Sequence, residues 1–178
     1  MASVTLVLGG ARSGKSSYAQ NVAERITKAP SKPPGFLATA EALDAEMRQR
    51  IRKHQADRGA HWLSHEEPLD IAGAIATLSQ QCGAVLVDCL TLWLSNIMHA
   101  ERDIKAETAA LSAALKTAAC PLILVSNEVG LGLVPETPLG RAFRDAQGRL
   151  NQDIAAVSDT VLFIAAGLPI TLKAPPNS

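Results

Sequence analysis

The sequence predicts an α/β protein with a mostly parallel sheet covered by helices on both faces. Short apolar, β-branched runs recur along its 178 residues. They alternate with longer stretches of helical periodicity, the pattern of strand–helix–strand units. Neither an internal repeat nor a break in composition divides the chain, so residues 1–178 are expected to form a single domain.

The elements follow in order. "VTLVLGG" (4–10) is a buried strand stopped by two glycines, and residues 15–28 are a helix. The helix stops at "APSKPPG" (29–35), where three prolines make a connector. "FLAT" (36–39) is the second strand and residues 41–57 a basic helix. Residues 68–81 follow as a helix with Pro68 at or near its first turn, then the strand "AVLVD" (84–88). Helices are expected at 90–99 and 103–119, a strand at "PLILVSN" (121–127) and a long amphipathic helix at 138–157. "TVLFIAA" (160–166) is the next strand, and "PITLK" (169–173) returns antiparallel through "AGLP".

Bulk properties exclude several classes. Seventeen cations balance 17 anions, so the chain is not built to coat nucleic acid or an anionic membrane. Aromatic residues make up 3%, too few for a platform of stacked bases. No apolar run reaches the length of a membrane span, and the N-terminus lacks a basic signal-peptide start. Three cysteines without a CxxC spacing read as reduced thiols in a cytoplasmic protein.

"GGARSGKS" (9–16) matches G-x-x-x-x-G-K-[ST] at every fixed position. Gly9 and Gly14 let the backbone curl, so that N–H groups from Gly10, Ala11, Arg12 and Ser13 onward surround a phosphate at a helix start. Lys15 would reach the β- and γ-phosphates, and Ser16 would hold Mg²⁺. The loop follows a strand and opens a helix, the context the motif requires. Asp88, ending "AVLVD", is the matching acidic group for Mg²⁺, close to the loop if the two strands are neighbours. Its alternative, compatible role is an N-cap for the helix beginning near Leu90.

In the basic helix, Leu43, Met47, Ile51 and His54 fall on one stripe, with Arg50 and Arg58 flanking it. Nearby cations favour the neutral, nucleophilic imidazole and attract a triphosphate. Spacing leaves two readings of His54 open: a core histidine bonded to a carbonyl, or a nucleophile that attacks phosphorus. His61 and His65 are weaker candidates in the expected turn after this helix, and His99 closes a helix. "NEVGLGLVPETP" places Asn127 and Glu128 at the strand edge where such sheets bind ligands, followed by a loop able to close over a substrate. Arg141, Arg144 and Arg149 share the next helix; Arg141 and Arg144, three apart, suit phosphate or pairing with Asp145 and Asp153, and a solvated face is the equal alternative.

Together, "GGARSGKS", "RIRKHQADR" followed by "HW", "VDCLTLWLSN" and "NEVGLGLVPETPLGRAFRDAQGRLNQDIA" resemble the bifunctional adenosylcobinamide kinase / adenosylcobinamide-phosphate guanylyltransferase family of cobalamin biosynthesis. The resemblance runs from residue 4 to about 173 and implies a phosphate-loop NTPase of RecA-like fold. It implies phosphorylation of adenosylcobinamide by ATP or GTP, then transfer of GMP from GTP through a covalent histidine–GMP intermediate. The family's histidine, in R-I-x-x-H, falls on His54. Its nucleotide contacts fall on the phosphate loop (Gly9–Ser16), on Ala38, Thr39 and Ala40, on Gln55, Ala56, Asp57 and Arg58, and on Glu66 and Asp88, where the family often has glutamate. Mg²⁺ as cofactor and a homotrimer are also implied. Two other classes compete: a nucleotide-dependent switch or RecA-like assembly module, and a kinase-only relative.

Overall fold

The computed structural model describes residues 2–27, 32–40 and 59–174. Twelve elements are defined among them: β1 (Val4–Gly9), α1 (Lys15–Thr27), β2 (Pro34–Ala38), β3 (Leu63–Glu66), α2 (Ile71–Gln81), β4 (Ala84–Asp88), α3 (Leu90–His99), α4 (Ile104–Thr117), β5 (Leu122–Asn127), α5 (Pro138–Val157), β6 (Thr160–Ala165) and β7 (Leu168–Lys173). The strands form one sheet in the order β3-β2-β4-β5-β1-β6-β7. All neighbouring pairs are parallel except β6 with β7.

The central strands are apolar on both faces because both faces are covered. Leu6 and Leu8 of β1, Val85 and Val87 of β4, and Leu122 and Leu124 of β5 point into the core shared with α2 to α5. Their alternates, Val7, Leu86, Ile123 and Val125, meet Ala19 and Ala23 of α1 on the other face. Alanines on α1 let that helix lie close to the sheet, directly behind the loop that precedes it.

Helix starts follow local chemistry. Asp70 caps α2 by accepting from Gly73 N at 3.0 Å. Asp103 caps α4 by accepting from Lys105 N and Ala106 N. Thr137 caps α5, with Pro138 in the first turn where a missing N–H costs nothing. The β6–β7 hairpin turns through Ala166 (φ 51°) and Gly167 (φ 80°), the left-handed pair that matches strand twist.

Several expectations need correction. β3 was not anticipated: its residues, "LSHE", are all exposed and show no apolar alternation, and it exists by pairing along β2 at the sheet edge. His65 therefore lies on a strand, opposite Leu37, and not in a turn. α2 starts at Ile71, so Pro68 precedes the helix. The N-cap of α3 is Cys89, not Asp88, and makes no side-chain cap bond. β1 and β4 are not neighbours; β5 lies between them. The basic helix expected at 41–57 lies outside the described residues, as do parts of the proline connector and of the tail. Among the described residues, no helix is long and apolar enough to cross a membrane.

Candidate active site

β1 delivers the chain to the C-terminal edge of the sheet, and the loop from Gly10 to Gly14 folds back into α1. A Cβ on Gly9 would stand 2.7 Å from the Ile164 carbonyl oxygen of β6 and 2.5 Å from Ser13 Oγ, so only glycine fits. Arg12 (φ 56°) and Gly14 (φ 94°) take left-handed conformations that curl the loop. Ser13 N–H donates to Gly10 O at 3.3 Å, and Gly167 N–H donates to Ser13 O at 2.9 Å. The β6–β7 turn thus braces the loop from behind. No acidic side chain occupies the first turn of α1, which leaves its N–H groups and dipole available to an anion.

Lys15 is 8% exposed and folds over the loop, its Nζ donating to Gly10 O at 2.9 Å. Burial lowers its pKa below the usual lysine value, while the nearby Cys89 and Asp88 act in the opposite direction. Ser13 Oγ is buried and has no protein partner, an orphan hydroxyl facing the same loop. A phosphate oxygen is a natural acceptor for it.

Asp88 ends β4, in register with Ala38 of β2 and Val125 of β5. Although β5 separates β4 from β1, the Asp88 carboxylate still acts on Lys15. The Asp88–Cys89 peptide bond is cis. Thr39, fully buried, braces it from just past the end of β2. Its hydroxyl donates to Cys89 O at 2.7 Å and accepts from Cys89 N at 2.9 Å. Thr39 N–H donates to Asp88 O, and Asn96 Nδ2 donates to Thr39 O at 2.8 Å and Pro68 O at 3.1 Å. Ala38 O accepts from Glu67 N. The hydrogen-bonding atoms of Thr39 are therefore engaged within the protein: it braces the end of β4. Burial and Asp88 push the Cys89 thiol up to about 11, so it is neutral at physiological pH and not a nucleophile.

Glu66 sits at the exposed end of β3, opposite Ala38 and on the same side of the sheet as Asp88. "HW" anchors the chain entering β3. Trp62 packs edge-on against Phe36, with centroids 6.2 Å apart, and its Nε1 donates to Glu24 of α1 at 3.4 Å. His61 lies 3.7 Å from the same carboxylate. His99 Nδ1 sits 2.7 Å from Ser95 O, a local helix-end contact. Arg141 donates to Pro135 O and Glu136 O, tying the long loop to the start of α5. The structure thus brings Gly9–Ser16, Ala38–Ala40, Glu66 and Asp88 to one edge of the sheet. His54, Gln55, Ala56, Asp57 and Arg58 lie outside the described residues. Sequence reasoning missed Thr91, whose hydroxyl accepts from Asn127 N–H at the end of β5, and Asn96; their only signal is polarity within the apolar helix "LTLWLSNIMH".

A phosphate loop between strand and helix, a buried lysine over it and an acidic strand end two strands away define a phosphate-loop nucleotide-binding protein. A KaiC-like protein from Pyrococcus horikoshii shares this fold, with a TM-score of 0.53 at 10% identity over 90% of this chain and 70% of that one. The sequence model of the cobinamide kinase / cobinamide phosphate guanyltransferase family matches residues 5–172, and the chain belongs to that family. It is 44% identical to a bifunctional adenosylcobalamin biosynthesis protein, CobP, of Pseudomonas aeruginosa, over 96% of this chain and 98% of that one. It is 37% identical to the corresponding protein, CobU, of Salmonella typhimurium and 34% identical to that of Escherichia coli, each over 94% of this chain and 98% of the relative.

Proposed function

We propose that this chain is a bifunctional adenosylcobinamide kinase and adenosylcobinamide-phosphate guanylyltransferase of cobalamin biosynthesis. The observation that carries the reading is an intact phosphate loop, with Lys15 folded over it, in a chain that matches the family over residues 5–172. In the kinase step, the primary hydroxyl of the cobinamide aminopropanol arm attacks the γ-phosphorus of ATP or GTP. The bond to the β-phosphate oxygen breaks, the nucleoside diphosphate leaves, and the hydroxyl proton is lost. Positioning and neutralisation of charge are most of what such a step requires. The loop N–H groups would hold the phosphates. Lys15 would exchange its bond to Gly10 O for phosphate oxygens, and Arg12 would add charge at the rim.

Ser16 and Asp88 are the residues that would hold Mg²⁺. A hydroxyl and a carboxylate are hard oxygen donors that suit this ion when phosphate oxygens and water complete its shell. When bound, the ion supplies charge neutralisation at the phosphates.

In the second step, a neutral His54 ring nitrogen attacks the α-phosphorus of GTP, a P–N bond forms, and pyrophosphate leaves. A phosphate oxygen of adenosylcobinamide phosphate then attacks the same phosphorus, and the P–N bond breaks. The products are adenosylcobinamide-GDP and regenerated histidine. Covalent catalysis divides one difficult transfer into two displacements.

The reading is tested by product analysis. Adenosylcobinamide with ATP and Mg²⁺ should give only the phosphate ester, and adding GTP should convert it to the GDP derivative. Phosphate ester without conversion would leave a kinase-only enzyme. Neither product would refute the reading.

A further inference from the structure

β5 outruns β4. Val125 is paired with Asp88, the last residue of β4, whereas Ser126 and Asn127 continue alongside Leu8 and Gly9 of β1. On the side where β4 has ended, side chains take over the backbone groups. Asn127 N–H donates to Thr91 Oγ1 of α3 at 2.8 Å, and Asn127 O accepts from Asn151 Nδ2 of α5 at 3.1 Å.

Asn151 belongs to a closed polar cluster. Ser126 Oγ donates to Asn151 Oδ1 at 2.7 Å, and Gln147 Nε2 donates to Ser126 Oγ and Asn151 Oδ1, both at 3.0 Å. Two donors converge on Asn151 Oδ1, which fixes the amide so that its Nδ2 faces Asn127 O. Gln147 and Asn151 are four apart on α5, on the face that also carries Leu150 and Ile154 into the core. Ser126 and Gln147 are fully buried and Asn151 is 6% exposed. Gln147 Oε1 has no partner, a cost that an apolar side chain would not carry. Stability alone does not call for three polar residues here. One residue further on, Glu128 N–H donates to Gly9 O at 3.0 Å, at the first glycine of the phosphate loop.

We propose that Ser126, Gln147 and Asn151 are positioning residues for the phosphate site: they hold the overhanging end of β5, and through Glu128 and Gly9 they hold the entrance of the phosphate loop. The inference rests on the reading of that loop as a nucleotide site. The same cluster couples the loop to α5, the helix entered from the long segment after Glu128.

The test compares three variants of the full chain well below their melting temperatures. Asn151→Leu removes the bond to Asn127 O. Ser126→Ala removes the hydroxyl yet leaves the Gln147–Asn151 bond, so it decides the matter if Asn151→Leu does not fold. Ser158→Ala is the control, deleting a buried hydroxyl bonded to Ile154 O at 2.7 Å at the C-terminal cap of α5, outside the cluster. GTP binding in the presence of Mg²⁺ is measured by equilibrium dialysis, and KM and kcat are measured for the nucleotide. Asn151→Leu and Ser126→Ala should raise the GTP Kd and KM about tenfold, with kcat far less affected, while Ser158→Ala loses Tm and keeps wild-type Kd. If the two cluster variants lose Tm and keep wild-type Kd and KM, the cluster is purely structural and the inference is overturned. If wild type itself binds no GTP, the nucleotide reading falls, and the inference falls with it.

Discussion

Two corners at the same edge of the sheet hold their chain by different means. After β1, the chain is shaped by its own backbone: left-handed residues, N–H to carbonyl bonds, and a glycine wedged against the Ile164 carbonyl. After β4, the chain is held by side chains, with Thr39 clasping Cys89 and Asn96 clasping Thr39. The first corner leaves amides open at a helix start, which is what an anion site requires. The second leaves none of Thr39's polar groups uncommitted and serves to aim Asp88. A binding surface and its support thus differ in whether polar groups remain available.

Lys15→Ala should give the largest effect, lowering nucleotide turnover at least about a hundredfold, because charge stabilisation at the phosphates is lost. The same change should leave Tm unchanged or raised. Burial holds the Lys15 pKa below 10.5, so the unfolded chain binds this proton more tightly than the folded one. The charged lysine therefore opposes folding below its folded pKa, and that cost disappears as pH rises through the folded value towards 10.5. Thermal melts of wild type and Lys15→Ala in alkaline buffers should converge accordingly.

Next come the glycines. Gly9→Ala should cost about 1–3 kcal/mol in urea unfolding, because its Cβ meets backbone that cannot move aside. Gly10→Ala should stay within about 0.5 kcal/mol, since nothing lies within 4 Å of its Cβ. Equal costs would break the claim that the first corner is built on the backbone. At the second corner, Thr39→Val should cost about 1–2 kcal/mol by leaving the Cys89 N–H without a partner, while Cys89 O keeps the bond from Trp93 N–H. Thr39→Ser, which keeps the hydroxyl, should recover most of it in the same experiment. The smallest effect has the opposite sign. Ala166→Gly should stabilise the chain by about 0.5 kcal/mol, relieving a left-handed alanine in the turn that braces the phosphate loop.

What the sequence revealed of this edge follows the same division. The phosphate loop was legible because its glycines and lysine do their work at fixed spacing along the chain. β1, β4 and β5 were legible because burial on both faces demands continuous apolar runs. β3 was not, since four exposed residues carry no periodic signal and the strand depends on β2 for its hydrogen bonds. The place of Asp88 relative to Lys15 was only half legible: the strand end was evident, but the insertion of β5 is a matter of topology. Thr39, Asn96, Gln147 and Asn151 were missed as braces because their partners are distant in sequence. His54 was singled out by its stripe, but its spacing alone favoured a core role, and only family resemblance selects the nucleophile.

The central claim is that one chain carries both a phosphate loop and a covalent GMP carrier. Its most direct measurement is incubation with Mg²⁺ and GTP radiolabelled at the α-phosphate, followed by denaturing electrophoresis. Wild type should retain label that is acid-labile and alkali-stable, as a histidine phosphoramidate is, and His54→Ala should retain none. Absence of label on wild type, or equal label on His54→Ala, would contradict the account.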